Sequence, residues 1–152
     1  MDLINNRLPI NKKNKQSILV VEDNDEVREF LVTFLSMQSF VYSADNGQSG
    51  IELAIDKLPD MIISDIIMPV SDGFKLVAQL SQNEQTSHIP IILITAKTDN
   101  ESQLKGLSLG AVDYITKPFD IKNISLKLKN ILFRQKKLLS SRITQDKQPP
   151  EK

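Results

Sequence analysis

Short, continuously apolar runs alternate along this chain with longer segments in which apolar residues recur at helical spacing. The runs are Ser17–Val21, Phe40–Ala44, Met61–Ser64, Ile91–Ile94 and Val112–Thr116. Continuous apolar character over so few residues predicts strands buried on both faces, because a strand with one wet face alternates. Between and after the runs lie five helical stripes. They are Val27, Phe30, Leu31, Phe34, Leu35; then Ile51, Leu53, Ala54, Leu58; then Phe74, Leu76, Val77, Leu80. The fourth is Leu104, Leu107, Leu109, and the fifth is Ile121, Ile124, Leu128, Ile131, Leu132. Each stripe is expected to face a core. Gly73, Gly110 and four prolines (Pro59, Pro69, Pro90, Pro118) fall near the expected element ends.

Strand and helix in strict alternation predict an α/β fold. It is a single doubly wound five-stranded parallel sheet with five helices on both faces. Right-handed crossovers leave only a few strand orders open. Residues 17–133 are expected to form the one domain, 1–16 a linker, and 134–152 a helical extension followed by a disordered basic linker. The last apolar spacing carries that helix to about Ser140.

Composition narrows the chemistry. The chain has 152 residues and no cysteine, which removes thiol catalysis, zinc–thiolate sites and disulfides. Neither a signal-peptide core nor an apolar run of membrane-spanning length is present, so a soluble cytoplasmic protein is expected. The zero net charge conceals segregation: residues 1–17 carry +3, residues 134–152 carry +4, and the segment between them carries −7. An acidic domain repels nucleic acid, so no direct nucleic-acid binding by the domain is expected.

Polar residues gather where the strands end. Glu22 and Asp23 follow the first run, Asp65 the third, Thr95 the fourth and Lys117 the fifth. Asp45-Asn46-Gly47 after the second run has the character of a turn and helix cap. Ligands of open α/β sheets collect outside the carboxyl ends of strands. In the order 2-1-3-4-5, Asp65 ends the central strand, flanked by the acidic pair and by Thr95, each ~4.8 Å away. Lys117 lies two strands off, about 10 Å, within reach of a long cationic side chain. Three converging carboxylates need a cation, and hard oxygen ligands with open positions suit Mg²⁺. The set predicts phosphoryl transfer with Asp65 as nucleophile, Thr95 as hydrogen-bond donor and Lys117 as a charge on a phosphoryl oxygen. Singly, each of these residues is more simply a cap or a solvated side chain; together, in chain order at four strand ends, they are not. Tyr114 reads by pattern alone as packed, and His88 as a surface residue opposite the site.

The segments SILVVEDNDEVREFL, PDMIISDIIMPVSDGFKLV, IPIILITAK and GAVDYITKPF resemble the successive blocks of the response-regulator receiver domain over residues 17 to about 133. The resemblance implies the 2-1-3-4-5 order and a phosphoryl group accepted by Asp65 from a phosphohistidine of a sensor histidine kinase or phosphotransfer domain. It implies Mg²⁺ held by Glu22, Asp23, Asp65 and the backbone carbonyl of Ile67, a switch pair of Thr95 and Tyr114, and Lys117 as the lysine before Pro118. Such a protein catalyses its own phosphotransfer and slow self-dephosphorylation but turns over no free substrate. The resemblance leaves the oligomeric state open, and allows a homodimer through the fourth helix, fifth strand and fifth helix, the face by which such domains commonly pair. Linkers at both ends suit a receiver cut from a hybrid sensor kinase and response regulator. Ile67 and Lys97 occupy the places that flank the path of hydrolytic water.

Three rival functions can be tested against the same residues. A flavin mononucleotide site needs a Ser/Thr/Gly-rich phosphate loop after the first strand, and Glu22-Asp23-Asn24-Asp25-Glu26 opposes one. An aspartyl phosphatase wants a second Asp where Ile67 stands. A phosphorylation-independent interaction module usually lacks one of the acceptor, the acidic pair or the lysine, and this chain has all three.

Overall fold

A computed structural model describes residues 15–68, 71–96 and 99–147. Most of the expected head linker (1–14), the end of the expected tail (148–152), Pro69 and Lys97 lie outside the described residues. Five strands form, β1 (Gln16–Val21), β2 (Ser39–Ala44), β3 (Met61–Asp65), β4 (Ile91–Ala96) and β5 (Asp113–Lys117). They alternate with α1 (Asp25–Leu35), α2 (Gly47–Lys57), α3 (Gly73–Gln82), α4 (Asn100–Leu109) and α5 (Ile121–Lys147). The sheet order is β2-β1-β3-β4-β5 and every pairing is parallel. This is the order that the resemblance implies.

The apolar runs became strands because their residues are buried on both faces of the sheet. On one face Leu19, Val21, Ile62, Ile91 and Leu93 meet Ile51 and Ala54 of α2 and Leu76, Val77 and Leu80 of α3. The alternate residues Ile18, Val20, Ile63, Ile92 and Ile94 point to the other face and are also buried. The edge strands β2 and β5 are only partly covered. The fold divides into two compact units, residues 1–117 and 118–152. The second is dominated by α5, which continues past Ser140 to Lys147. Arg, Gln and Lys in that last stretch are good helix formers, so the helix outlasts its apolar stripe.

Two expectations need correction. Strand ends move by a residue or two, so that Asp65, Thr95 and Lys117 lie inside β3, β4 and β5, while Val112 falls outside β5 and is exposed. The helical stripes are also not uniformly core: Leu104 is 68% exposed, and Phe30, Leu58, Leu107 and Ile121 are exposed too. In α4 the residue that is fully buried is Gly106, whose Cβ position lies 2.4 Å from Leu93 Cδ1. The helix backbone makes that close approach, and of the expected stripe Leu109 packs against the core. Leu58 ends α2 in the left-handed region at φ 49°.

Candidate functional site

Each helix of the first unit begins just beyond a strand end, and its first turn is capped by a residue other than the strand-end groups. Asn24 accepts from Val27 N, Asn46 from Ser49 N and Asp72 from Lys75 N, each at 2.9 Å; Asp99 accepts from Ser102 N at 3.1 Å. Such caps typically contribute ~1 kcal/mol. They also remove the simplest alternative role for Glu22, Asp23, Asp65 and Thr95. Asn46 is the cap expected from the Asp45-Asn46-Gly47 turn. Asp99, held below its ordinary carboxyl range by its bonds to Ser102, caps α4 and lines the cleft.

Asp65 is buried at the end of central β3. Its Oδ1 accepts from Ile66 N at 2.8 Å, and its Oδ2 lies 3.4 Å from Lys117 Nζ. Lys117, half-exposed on edge strand β5, spans the width of β4 to make this contact and stands 4.0 Å from Glu22 Oε1. The 3.4 Å approach is a hydrogen-bonded ion pair, and the 4.0 Å approach is Coulombic only. Thr95 is buried, and its hydroxyl makes a long 3.5 Å contact to Ala96 O, which leaves it weakly committed. A cleft of about 230 Å³ lies over these groups, lined by Asp65, Ile66, Ile67, Thr95, Asp99 and Lys117 among others.

The turn after β1 carries the acidic pair. Glu22 N donates to Ala44 O at 3.0 Å and extends the β1–β2 ladder one step past the strand. Glu22 is fully buried while Asp23 is exposed. One carboxylate oxygen each from Glu22, Asp23 and Asp65 come within 4.8 Å of one another. Glu22 Oε2 accepts from Asn24 N at 3.1 Å, and Glu22 Oε1 is buried with no hydrogen-bond partner among the described residues. Burial raises the Glu22 carboxyl from 4.5 to about 7; the Asn24 amide and Lys117 oppose this, and Asp65 adds to it. A buried carboxylate oxygen without a donor, beside two further carboxylates, fits a cation. The all-oxygen donor set, open to water and ligand oxygens, fits Mg²⁺ among the common ions.

The loop after Asp65 is pinned by close approach. Gly73 N donates to Ile66 O at 2.7 Å, and a Cβ at Gly73 would lie 2.4 Å from Asp65 O. Only glycine allows α3 to start against the strand end. Ile67, two residues beyond Asp65, is 80% exposed at the cleft. Tyr114 is half-buried on β5 and pairs with Leu93, while Thr116 pairs with Thr95. Tyr114 therefore shares a sheet face with Thr95, one step further from the cleft. His88 is exposed beside Ile89 and Pro90, before β4.

Thus the fold brings Glu22, Asp23, Asp65, Thr95 and Lys117 to one end of the sheet. A family profile described as the response regulator receiver domain matches residues 18–129. The chain belongs to the response-regulator receiver family. The receiver is 39% identical over 129 residues to histidine kinase P4 of Formosa agariphila, covering 85% of this chain and 9% of that protein. It is 37% identical over 120 residues to the phosphate regulon transcriptional regulatory protein PhoB of Pseudomonas aeruginosa, covering 78% of this chain and 52% of that one. The receiver therefore spans under a tenth of the one relative and about half of the other. Among solved structures, the signal receiver domain of a Syntrophus aciditrophicus signal transduction histidine kinase superposes with a TM-score of 0.71 at 32% identity, covering 77% of this chain and 89% of that one. Chemotaxis response regulator CheY4 of Vibrio cholerae gives 0.72 at 28%, covering 77% and 98%. This is a receiver of two-component signal transduction. No described helix is long and apolar enough to cross a membrane.

Sequence reasoning missed Arg28. Its guanidinium donates through Nη1 to Glu22 O at 2.8 Å and through Nη2 to Asp25 Oδ1 at 2.6 Å. The spacing of Asp25 and Arg28 on a helix was a readable signal for the second bond. The first depends on a backbone turn that spacing alone does not give.

Proposed function

We propose that this receiver takes a phosphoryl group from a phosphohistidine of a sensor histidine kinase or phosphotransfer domain onto Asp65, and passes the resulting change of state to an output domain or partner. An Asp65 carboxylate oxygen attacks phosphorus, the P–N bond to histidine breaks, and the electron pair returns to the imidazole, which then takes up a proton. The observation that carries this reading is Lys117 Nζ at 3.4 Å from Asp65 Oδ2, beside the trio of Glu22, Asp23 and Asp65. Lys117 offsets charge on the carboxylate before transfer and on a phosphoryl oxygen afterwards. Glu22, Asp23, Asp65 and the backbone carbonyl of Ile67 would hold Mg²⁺, which when bound would supply charge neutralisation at the transferring oxygens. The Thr95 hydroxyl, weakly committed now, turns to the phosphoryl group, and Tyr114 on the same sheet face follows it; these two are the switch. Hydrolysis is the slow return reaction, and no free substrate is turned over.

Residues 17–133 are the phosphoaccepting domain, and α5 beyond residue 133 serves as a connector. The relatives include both kinases and transcriptional regulators, and a hybrid sensor kinase and response regulator is the parent chain we favour. The test is incubation with a small phosphodonor and Mg²⁺, followed by mass measurement. One phosphoryl group is expected on wild type and none on Asp65→Asn. Asp23→Ala is expected to abolish Mg²⁺ binding and Asp45→Ala to preserve it. Labelling of Asp65→Asn at the wild-type level refutes the assignment.

A further inference from the structure

Arg28 forks between a strand end and a helix start. One arm, Nη1, holds the carbonyl of Glu22, and the other, Nη2, holds the Asp25 carboxylate in the first turn of α1. Between these two anchors lies the turn that carries Glu22 and Asp23. Two further bonds close it: Asn24 N donates to Glu22 Oε2, and Asn24 Oδ1 accepts from Val27 N. The turn is thus tied at its backbone and at one oxygen of Glu22, while the other oxygen has no hydrogen-bond partner among the described residues.

We infer that Arg28 is a positioning residue for the cation site, holding the Glu22–Asn24 turn in the shape that aims Glu22 and Asp23 at Asp65. The inference rests on the reading of these three carboxylates as Mg²⁺ ligands. Stability alone is a poor reason for the fork. Asp25 is 83% exposed, and ion pairs with so exposed a partner contribute little to stability. The bond from a charged donor to the Glu22 carbonyl is of the stronger kind, and it fixes the backbone at the residue that matters. A charge-only account predicts the opposite sign. A guanidinium near a cation site repels the cation, so deleting it would tighten Mg²⁺ binding.

The test uses the whole chain and two variants. Arg28→Lys keeps the charge, but an ammonium cannot offer two parallel donors to two acceptors. Arg28→Met removes the charge and both bonds. Positioning predicts that each variant binds Mg²⁺ about tenfold more weakly by titration, at the lower end of what loss of a partner behind a metal ligand costs. It also predicts faster amide hydrogen exchange at Asn24 in the metal-free protein, because its acceptor Glu22 is no longer held. A purely structural role would lower the melting temperature without moving Mg²⁺ affinity of the folded protein. Wild-type affinity in Arg28→Lys, tighter binding in Arg28→Met, or unchanged Asn24 exchange overturns the inference while Asp23→Ala still abolishes binding. If Arg28→Met does not fold, Arg28→Lys decides alone. Wild type that binds no Mg²⁺ overturns the cation-site reading itself, and the inference with it.

Discussion

Lys117 on the edge of the sheet reaches across β4 to Asp65 at its centre, Nζ to Oδ2 at 3.4 Å. In the proposed phosphotransfer the lysine acts on a charge that changes during the reaction, and it would also repel a cation bound beside it. Lys117→Met is therefore expected to separate two quantities. Mg²⁺ binds a few-fold more tightly, while phosphorylation by a small donor slows by ~10²-fold, the loss typical of one oriented donor. Stability of the half-exposed lysine's variant stays within ~1 kcal/mol of wild type. Parallel measurement of Mg²⁺ affinity and labelling rate checks this; a fall in both would make Lys117 merely structural.

Acidity at Glu22 gives a prediction with a definite sign. Its folded value, about 7, lies above the ordinary 4.5, so the folded protein holds the proton more tightly than the unfolded chain. Stability from this group is complete below pH 4.5 and is lost as pH rises through 7, by at most about 3 kcal/mol. Thermal melts of the metal-free protein are expected to show this decline between pH 5 and 8, and Glu22→Gln to flatten it. Added Mg²⁺ opposes the decline because it binds the ionised form, so its apparent affinity rises over the same window. A melting temperature that climbs with pH in metal-free wild type contradicts the assignment.

Ile67 is expected to influence the lifetime of the proposed phosphorylated state. Water must approach the phosphorylated Asp65 in line, and this exposed apolar side chain beside the cleft offers no hydrogen bond to orient it. Slow self-dephosphorylation is expected, with faster decay in Ile67→Asn. The decay rate of phosphorylated protein, after donor removal with Mg²⁺ retained, decides the matter. Equal rates would leave Ile67 a spectator.

Two glycines with the same Cβ clearance of 2.4 Å are expected to respond differently to alanine. At Gly73 the obstacle is the backbone carbonyl of Asp65, which cannot move without shifting the site. Gly73→Ala is expected to cost ~1–3 kcal/mol and to slow phosphorylation. At Gly106 the obstacle is the tip of Leu93, which can rotate, and alanine gains up to ~1 kcal/mol of helix propensity. Gly106→Ala is expected to be near neutral by denaturant titration. Equal destabilisation of both would mean that the close approach at Asp65 is not special.

The strands were legible because residues such as Ile62, Ile63 and Ile92 must be apolar on both faces, and that need is written as an uninterrupted run. The α4 face was legible only in part: Leu109 of its stripe packs against the core, whereas Leu104 and Leu107 are exposed. Its contact with Leu93 is made by Gly106, and a hydrophobic pattern cannot register a residue without a side chain. The strand-end groups could be singled out from sequence because Glu22, Asp65, Thr95 and Lys117 break apolar patterns at regular places. Arg28 escaped notice because its decisive partner is a main-chain oxygen, and any residue type supplies one.

The acidic groups and the lysine stand on scaffolds of unequal strength. Glu22 follows and Asp65 ends a strand with neighbours on both sides, whereas Lys117 ends a strand paired along one side only. On warming, the lysine's strand can fray while the carboxylates remain in place, because opening an edge breaks one ladder and opening the middle breaks two. If the site works as proposed, cation binding is expected to persist to temperatures at which phosphorylation has already been lost, the edge of the site failing before its centre.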